Sequence, residues 1–244
     1  MSGHSKWNNI KRKKEKADGA RAKVFTKIGR ELSVAVKEGG GPDPDANSRL
    51  RDCIAKAKAA NVPNDNIDRI IKKAAGDGDD TKYENITYEG YGPGGVAVIV
   101  ETLTDNRNRT AGDLRHYFDK YGGNLGTTGC VSFLFSRKGV LVVEREGLEE
   151  DKVMEDCLEA GASDFQADED VFEIFTEPDD FSGVLADLEA KGYQFVSAEV
   201  EMVPTTYTKL EEGRAASMQH LLDALEDNDD VQNVWHNWEN ADEQ

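Results

Sequence analysis

Apolar residues change their spacing part-way along this chain, and that change limits the folds open to it. From Phe25 to Ala74 they recur every three or four residues, which is the period of an amphipathic helix. After the acidic stretch Gly76–Asp80 they alternate with polar residues, as in half-buried strands. The sequence therefore predicts an α+β protein in which a helical N-terminal bundle precedes α/β domains.

Three helices are expected in the N-terminal region. The first covers residues 17–38 and ends at Gly39-Gly40-Gly41, and the second covers residues 46–60. The third starts at a cap, Asn64, and stops at Gly76. Each has one apolar face, so the three can pack as a small bundle.

Two sheets are expected beyond the acidic stretch. The first begins with strands at 86–91, 96–103 and 130–135 and a helix at 109–121. The second follows the order strand, helix, strand, strand, helix, strand, which is typical of a ferredoxin-like unit. Its expected elements are 140–144, 150–159, 164–167, 171–176, 179–191 and 195–203.

The end of the chain adds a helix at 211–226 and a strand at 231–238 that have no sheet of their own. We expect them to return to the first sheet, so that the second ferredoxin-like α/β domain is inserted in the first. The predicted domains are a basic helical domain at 1–76, a discontinuous α/β middle domain at 82–135 plus 205–240, and an inserted βαββαβ ferredoxin-like domain at 137–204.

Charge is also unevenly distributed. Residues 1–75 hold 18 basic and nine acidic residues, a net of +9, whereas the whole chain is −18, so residues 76–244 carry −27. A cationic end on an acidic chain is typical of a protein that binds a polyanion. The alternative is that Lys11–Lys14 is only a solubilising tail.

Trp7 lies among these cations, and such a mixture suits nucleic acid because a base can stack while phosphates are neutralised. The basic face of the first helix continues the charge. The predicted nucleic-acid-binding residues are Lys6, Trp7, Lys11, Arg12, Lys13, Lys14, Arg21, Lys23, Lys27 and Arg30. We expect residues 1–20 to be mobile in the free protein and to order on binding.

A second candidate anion site is Asp105–Thr110, where a strand passes into a helix. Arg107 and Arg109 could bind a phosphate there together with exposed N–H groups. The alternative is a turn in which Asn108 caps the helix and both arginines are solvated.

Other motifs predict no chemistry. Gly90–Gly95 matches G-x-G-x-x-G, but a strand follows it, so we interpret it as a hairpin turn. The acids Glu226–Asp230 lack the spacing of a calcium loop and are interpreted as a solvated corner and not a Mg²⁺ site. Scattered histidines and three cysteines predict no catalytic centre, cofactor or metal. No apolar run could cross a bilayer, so we expect a cytoplasmic protein without membrane contact.

Seven blocks of residues resemble the YebC/PmpR family and span nearly the whole chain. They are Gly3-His4-Ser5-Lys6-Trp7, Phe25-Thr26-Lys27-Ile28 with Arg30-Glu31, Gly39-Gly40-Gly41 with Pro44-Asp45, Tyr88-Glu89-Gly90-Tyr91-Gly92-Pro93, Asp105-Asn106-Arg107-Asn108-Arg109-Thr110, Gly122-Gly123-Asn124-Leu125-Gly126 and Leu225-Glu226-Asp227-Asn228-Asp229-Asp230-Val231.

The resemblance implies three domains: a helical N-terminal domain and two α/β domains of ferredoxin-like character. It implies a cytoplasmic transcriptional regulator that binds DNA and has no agreed catalytic or metal-binding residues. Mitochondrial relatives are described as translational activators and bacterial members have been linked to ribosomes, so rRNA or the ribosome is the alternative partner. The oligomeric state is open, with a monomer favoured.

Overall fold

A computed structural model of the chain describes Trp7 and residues 17–76 and 81–239, without the side chains of residues 17–21. The expected mobility of residues 1–20, and the expected contacts of Lys6, Lys11–Lys14 and the Arg21 side chain, fall outside the described residues. The described residues form two compact units. The first unit comprises residues 17–76, 81–130 and 212–234, and the second comprises Trp7 with residues 131–211 and 235–239.

The elements are labelled in chain order. They are α1 (Ala17–Glu38), α2 (Ser48–Ala59), α3 (Asn64–Ala75), β1 (Glu84–Tyr91), β2 (Ala97–Thr104), α4 (Arg107–Lys120), β3 (Asn124–Leu125), β4 (Phe135–Glu144), α5 (Glu150–Ala160), β5 (Asp164–Ala167), β6 (Val171–Thr176), α6 (Phe181–Ala190), β7 (Phe195–Pro204), α7 (Glu212–Asp227) and β8 (Val231–His236).

Helices α1, α2 and α3 pack their predicted apolar faces against one another. The buried side chains of this core are Ile28, Leu32, Ala35, Val36, Leu50, Ala57, Val62, Ile67 and Ala74. The three predicted helices are confirmed, with differences of one or two residues at their starts.

Buried Asn47 explains the start of α2. Its side chain accepts a hydrogen bond from the Leu50 N–H, and its amide donates to the carbonyls of Ala35 (2.7 Å) and Gly41 (2.8 Å). The same residue thus caps α2 and holds the end of α1. Asn64 is the first residue of α3 and not its cap, because Pro63 occupies the cap position without a side-chain bond.

The first sheet has the strand order β3-β1-β2-β8. Strands β1 and β2 form an antiparallel hairpin in which Tyr91 pairs with Ala97, so the interpretation of Gly90–Gly95 as a hairpin turn is confirmed. Gly92 is required in this turn because a Cβ there would lie 2.6 Å from the Met218 sulfur of α7. The last strand, β8, joins this sheet as predicted and lies beside β2.

The second sheet has the order β5-β6-β4-β7, and neighbouring strands are antiparallel. The predicted βαββαβ order of elements is confirmed. Helices α5 and α6 cover one face, where Leu141, Phe172 and Leu188 are buried. A second apolar cluster lies on the opposite face.

The strand predicted at 130–135 is wrong. Residues Ser132–Leu134 form a 3-10 turn in which the Leu134 N–H bonds to the Val131 carbonyl (2.9 Å), and β4 begins only at Phe135. The alternation of Val131, Phe133 and Phe135 suggested a strand, but Phe133 is 70% exposed. The two-residue β3 was not predicted. Among the described residues, no helix is both long and apolar enough to cross a membrane.

Candidate functional site

The basic face of α1 lies against the corner between α7 and β8. Lys23 forms an ion pair with Asp227 (2.7 Å), and the Lys27 ammonium donates to the Glu226 carbonyl (2.8 Å). One helical turn further on, Arg30 donates to Asp230 and to the Leu103 carbonyl. Three cations along one face of α1 therefore contact three residues of this corner: Asp227, Glu226 and Asp230.

Asp230 is the centre of this contact. Its side chain is only 4% exposed and receives bonds from two guanidinium groups and one hydroxyl. Arg109 reaches both carboxylate oxygens at 2.9 Å, and Thr110 donates to Oδ2 at 2.7 Å. Arg30 completes the set. We call these four residues the Asp230 cluster.

Backbone hydrogen bonds also position the residues of the cluster. The Leu103 N–H donates to the Asp230 carbonyl (2.7 Å), and the Asp230 N–H donates to Asn228 Oδ1 (2.9 Å). Helix α4 begins at an Asn106 cap that accepts from the Arg109 N–H, which aims the first turn of α4 at Asp230. Backbone hydrogen bonds therefore position Asp230 in addition to the bonds that its carboxylate accepts.

Protonation in the cluster follows from these bonds. Burial alone would raise the pKa of Asp230, but the hydrogen bonds from Thr110, Arg30 and Arg109 outweigh it, so the pKa lies below its usual range. The bonds from Arg109 to Asp230 and Asp105 raise the pKa of that guanidinium above its ordinary value. Asp230 and Arg109 are therefore both ionised at neutral pH.

The predicted anion site at Arg107 and Arg109 is thus partly occupied by the protein itself. Arg109 binds Asp230 and Asp105, while Arg107 is exposed. The Asn108 cap of the alternative is wrong, because Asn106 is the cap. Both arginines are exposed, as the alternative expects, but Arg109 is also paired. Whether Arg107 binds an anion stays a prediction.

The interpretation of Glu226–Asp230 as a solvated corner is wrong for Asp230, which is buried, and holds for exposed Asp227 and Asp229. Arg30, Arg109 and Thr110 take up the carboxylate oxygens that a cation would need. Among the described residues, no group of three or more His, Cys, Asp or Glu side chains could hold a metal ion.

Four of the ten predicted nucleic-acid-binding residues have described side chains, and each contacts the protein itself. Lys23, Lys27 and Arg30 contact the corner of α7 and β8, and the Trp7 Nε1–H donates to Asp170 Oδ2 (3.1 Å). These bonds do not test nucleic-acid binding, which stays a prediction. They do show that the α1 cations have a structural use.

Other cations of the helical bundle face outward. Arg49 pairs with Glu38, Lys56 pairs with Glu31, and Arg51 donates to the carbonyls of Pro44 and Asp45. Four further cations lie on exposed positions of α2 and α3: Lys58, Arg69, Lys72 and Lys73. We call these four residues the α2–α3 cations. They form an exposed basic surface of the described bundle.

Two family models match this chain over almost its full length. The N-terminal domain of the TACO1/YebC protein matches residues 5–77, and the second and third domain of TACO1/YebC matches residues 83–238. The chain belongs to the TACO1/YebC family. The resemblance seen in the seven sequence blocks is therefore confirmed.

Close relatives within the TACO1/YebC family come from bacteria. A protein of Acetivibrio thermocellus called "Probable transcriptional regulatory protein" is 62% identical over 98% of this chain and 99% of its own. One of Caldicellulosiruptor bescii with the same name is 61% identical over the full length of both. The solved structure of a conserved hypothetical protein from Aquifex aeolicus is 45% identical, covers 91% of each chain and has a TM-score of 0.81.

Sequence reasoning missed a second buried carboxylate, in the other unit. Asp156 of α5 receives bonds from the ammonium groups of Lys152 (2.8 Å) and Lys191 (2.6 Å) and from the Tyr193 hydroxyl (2.8 Å). These bonds, led by that from Lys152, hold the pKa of Asp156 well below its usual range. Burial, with the bond to Asp156, raises the pKa of Tyr193 to about 12. The only signal in the sequence was Lys152 four residues before Asp156.

Proposed function

We propose that this chain is a non-enzymatic, cytoplasmic regulator of gene expression that binds DNA through its basic N-terminal region. The observation that carries the proposal is the separation of charge, +9 in residues 1–75 against −27 in the remainder. A duplex attracted to one end and repelled by the rest can approach in few orientations. The name of the relatives, which refers to transcriptional regulation, supports the same role.

The α2–α3 cations are the described part of the proposed DNA-binding surface. All four are exposed, and Lys72 and Lys73 lie together in the last turn of α3. Exposed ammonium and guanidinium groups can neutralise phosphates without losing an internal partner of opposite charge. We propose that they act with Lys6, Lys11, Arg12, Lys13 and Lys14, while Lys23, Lys27 and Arg30 chiefly hold α1 against the corner of α7 and β8.

Such contacts would position the protein on DNA without reading its sequence. Lysine and arginine bonds to phosphate set register and orientation, whereas base edges carry sequence information. Binding should therefore depend steeply on salt and weakly on sequence.

The salt dependence of binding to a duplex tests this surface. The quadruple variant K58A/R69A/K72A/K73A should weaken binding and flatten the plot of log affinity against log salt, by about 0.9 in slope for each phosphate that the variant no longer neutralises. The matched control removes four exposed cations elsewhere, R115A/K120A/K209A/R214A, and changes net charge equally. Equal effects of the two variants would contradict the proposed surface.

Crosslinking followed by sequencing of the bound nucleic acid in cells tests the partner. We expect DNA fragments to be recovered with the chain. Recovery of RNA alone would overturn the DNA proposal without affecting the surface itself.

A ribosome-associated translation factor is the second candidate, and the acidity of the second unit favours it. Residues 131–211 hold 21 acidic and six basic residues, a net of −15, which opposes lying along a duplex. Ribosomes present both rRNA and cationic proteins. Cosedimentation with ribosomes that survives DNase but not RNase would support this candidate and count against the first.

The three-domain division belongs to the same proposal. We propose domains at 1–76, at 82–135 plus 205–240, and at 137–204, the last a ferredoxin-like domain inserted in the second, acting together in a monomer. Limited proteolysis followed by mass determination should cut first near residues 77–81, and later near 136 and 205, where β4 and β7 pair. Early cuts elsewhere would contradict these bounds.

A further inference from the structure

The face of the second sheet opposite α5 and α6 carries an apolar cluster. Val140, Val142, Val171 and Phe175 are buried there. Glu173 pairs across the strands with Val142 and therefore points to the same face. A sheet face with this composition must be covered, because it would otherwise expose a contiguous apolar patch.

Trp7 covers part of this face. Its indole packs against the cluster of Val140, Val142, Val171 and Phe175. Its Nε1–H donates to Asp170 Oδ2 at 3.1 Å, in the loop just before β6. The ring is half-buried, so both its apolar body and its one polar atom contact the protein.

These surroundings are unfavourable for a nucleic-acid base. A base that stacks on Trp7 would draw the ring away from this apolar cluster. The hydrogen bond from the indole to Asp170 would be lost as well. The sheet therefore offers the Trp7 ring more favourable contacts than a base does.

We propose that Trp7, which precedes the basic run Lys11–Lys14 by four residues in the sequence, is an intramolecular anchor that fixes residue 7 on this face of the second sheet, and that it does not stack on bases. This inference rests on the proposed function for the role of the basic run. The anchor itself is independent of it.

The geometry of the chain gives the anchor its effect. Lys11 follows Trp7 by four residues and Lys14 by seven. Fixing residue 7 reduces the conformational freedom of the chain that follows it, so less conformational entropy is lost when that chain binds.

Fluorine NMR of protein labelled with 5-fluorotryptophan tests the anchor without nucleic acid. Trp7→Phe assigns the Trp7 resonance by its disappearance. Asp170→Ala should move that resonance towards its position in unfolded protein, whereas Glu169→Ala, a neighbouring exposed acid, should leave it in place. An unmoved resonance in the Asp170→Ala protein would overturn the anchor.

Adding a DNA duplex or a structured RNA to the labelled protein tests the second half of the proposal. The Trp7 resonance should stay in place while binding proceeds, and an upfield shift typical of ring stacking would overturn it. Asp170→Ala should also weaken binding about threefold relative to Glu169→Ala, the effect of removing one hydrogen bond. If no variant binds either nucleic acid, the proposed function fails, and the resonance of the free protein still decides the anchor.

Discussion

Among the described residues, each compact unit contains a buried carboxylate with three donors, and the two carboxylates differ in what those donors can do when the acid is removed. Asp230 binds a threonine and two arginines, of which the Arg30 side chain is 17% exposed and the Arg109 side chain 43%. Asp156 binds two lysines and a tyrosine, and its lysines are 63% and 33% exposed. A lysine at the surface can turn to water, but a buried guanidinium cannot.

The two buried carboxylates also differ in which elements they hold together. The Asp230 cluster joins residues 30, 109 and 230, which are far apart in sequence, so it holds helix α1, helix α4 and strand β8 together. Asp156 joins α5 to Lys191 and Tyr193, which follow the end of α6. Loss of Asp230 should therefore be felt across the first unit, and loss of Asp156 only between two helices.

The largest effect is expected from Asp230→Ala. It leaves Arg30 buried without its carboxylate, and breaking a buried ion pair from one side costs about 3 kcal/mol or more. Hydrogen exchange should show amides of α1 and β8 losing protection together, while β4 and β6 stay protected.

The matched control is Asp229→Ala, which removes a neighbouring exposed carboxylate. It should leave exchange in α1 and β8 unchanged. If both variants loosen α1 equally, the net charge of the corner and not the buried cluster holds the helix.

Asp156→Ala should have a smaller effect confined to α5 and α6. Lys152 and Lys191 can both reach water when the acid is removed, and Lys191 also keeps its ion pair with Glu159 (2.7 Å). Exchange should rise only in these helices, and the exposed neighbour substitution Glu155→Ala should change nothing there. A loss of protection as large as that of Asp230→Ala would remove the distinction between the two carboxylates.

Local pattern was enough to predict most of the fold. The three-four spacing of Ile28, Leu32 and Leu50 predicted the bundle because helix burial depends on neighbours within a few residues. The order of elements in the second sheet followed from alternation in the same way. The false strand at 130–135 shows the limit, since three alternating apolar residues also fit a turn that exposes Phe133.

The candidate site was much harder to predict, because its contacts join distant parts of the chain. Arg30 and Asp230 are 200 residues apart, and Trp7 and Asp170 are 163 apart. In sequence, Asp230 is one of several acids in a row and resembles a solvated corner. No local pattern distinguishes the buried acid from its exposed neighbours Asp227 and Asp229.

Acid should weaken both clusters, and the direction follows from the lowered pKa of each acid. A carboxylate with a depressed folded pKa contributes its full stability above its unfolded value of about 3.9, and loses it as pH falls towards the folded value. Exchange protection in α1 and in α5 should therefore fall below about pH 4. The double variant D156N/D230N should lack this dependence, and an unchanged acid profile would assign it to other carboxylates.

The smallest effect is expected from Thr110→Val, which keeps the shape of a fully buried side chain and removes only its hydroxyl. Asp230 keeps both arginines, so stability should fall by about 1 kcal/mol, the usual net value of one hydrogen bond. The matched control is Thr26→Val, at an exposed position of α1. It should leave the hydrogen-exchange protection of β8 unchanged. A decrease close to that of Asp230→Ala would mean that the hydroxyl, and not the arginine pair, holds the carboxylate. Asp230 and Asp156 would then differ in the burial of their donors and not in whether arginine or lysine holds the carboxylate.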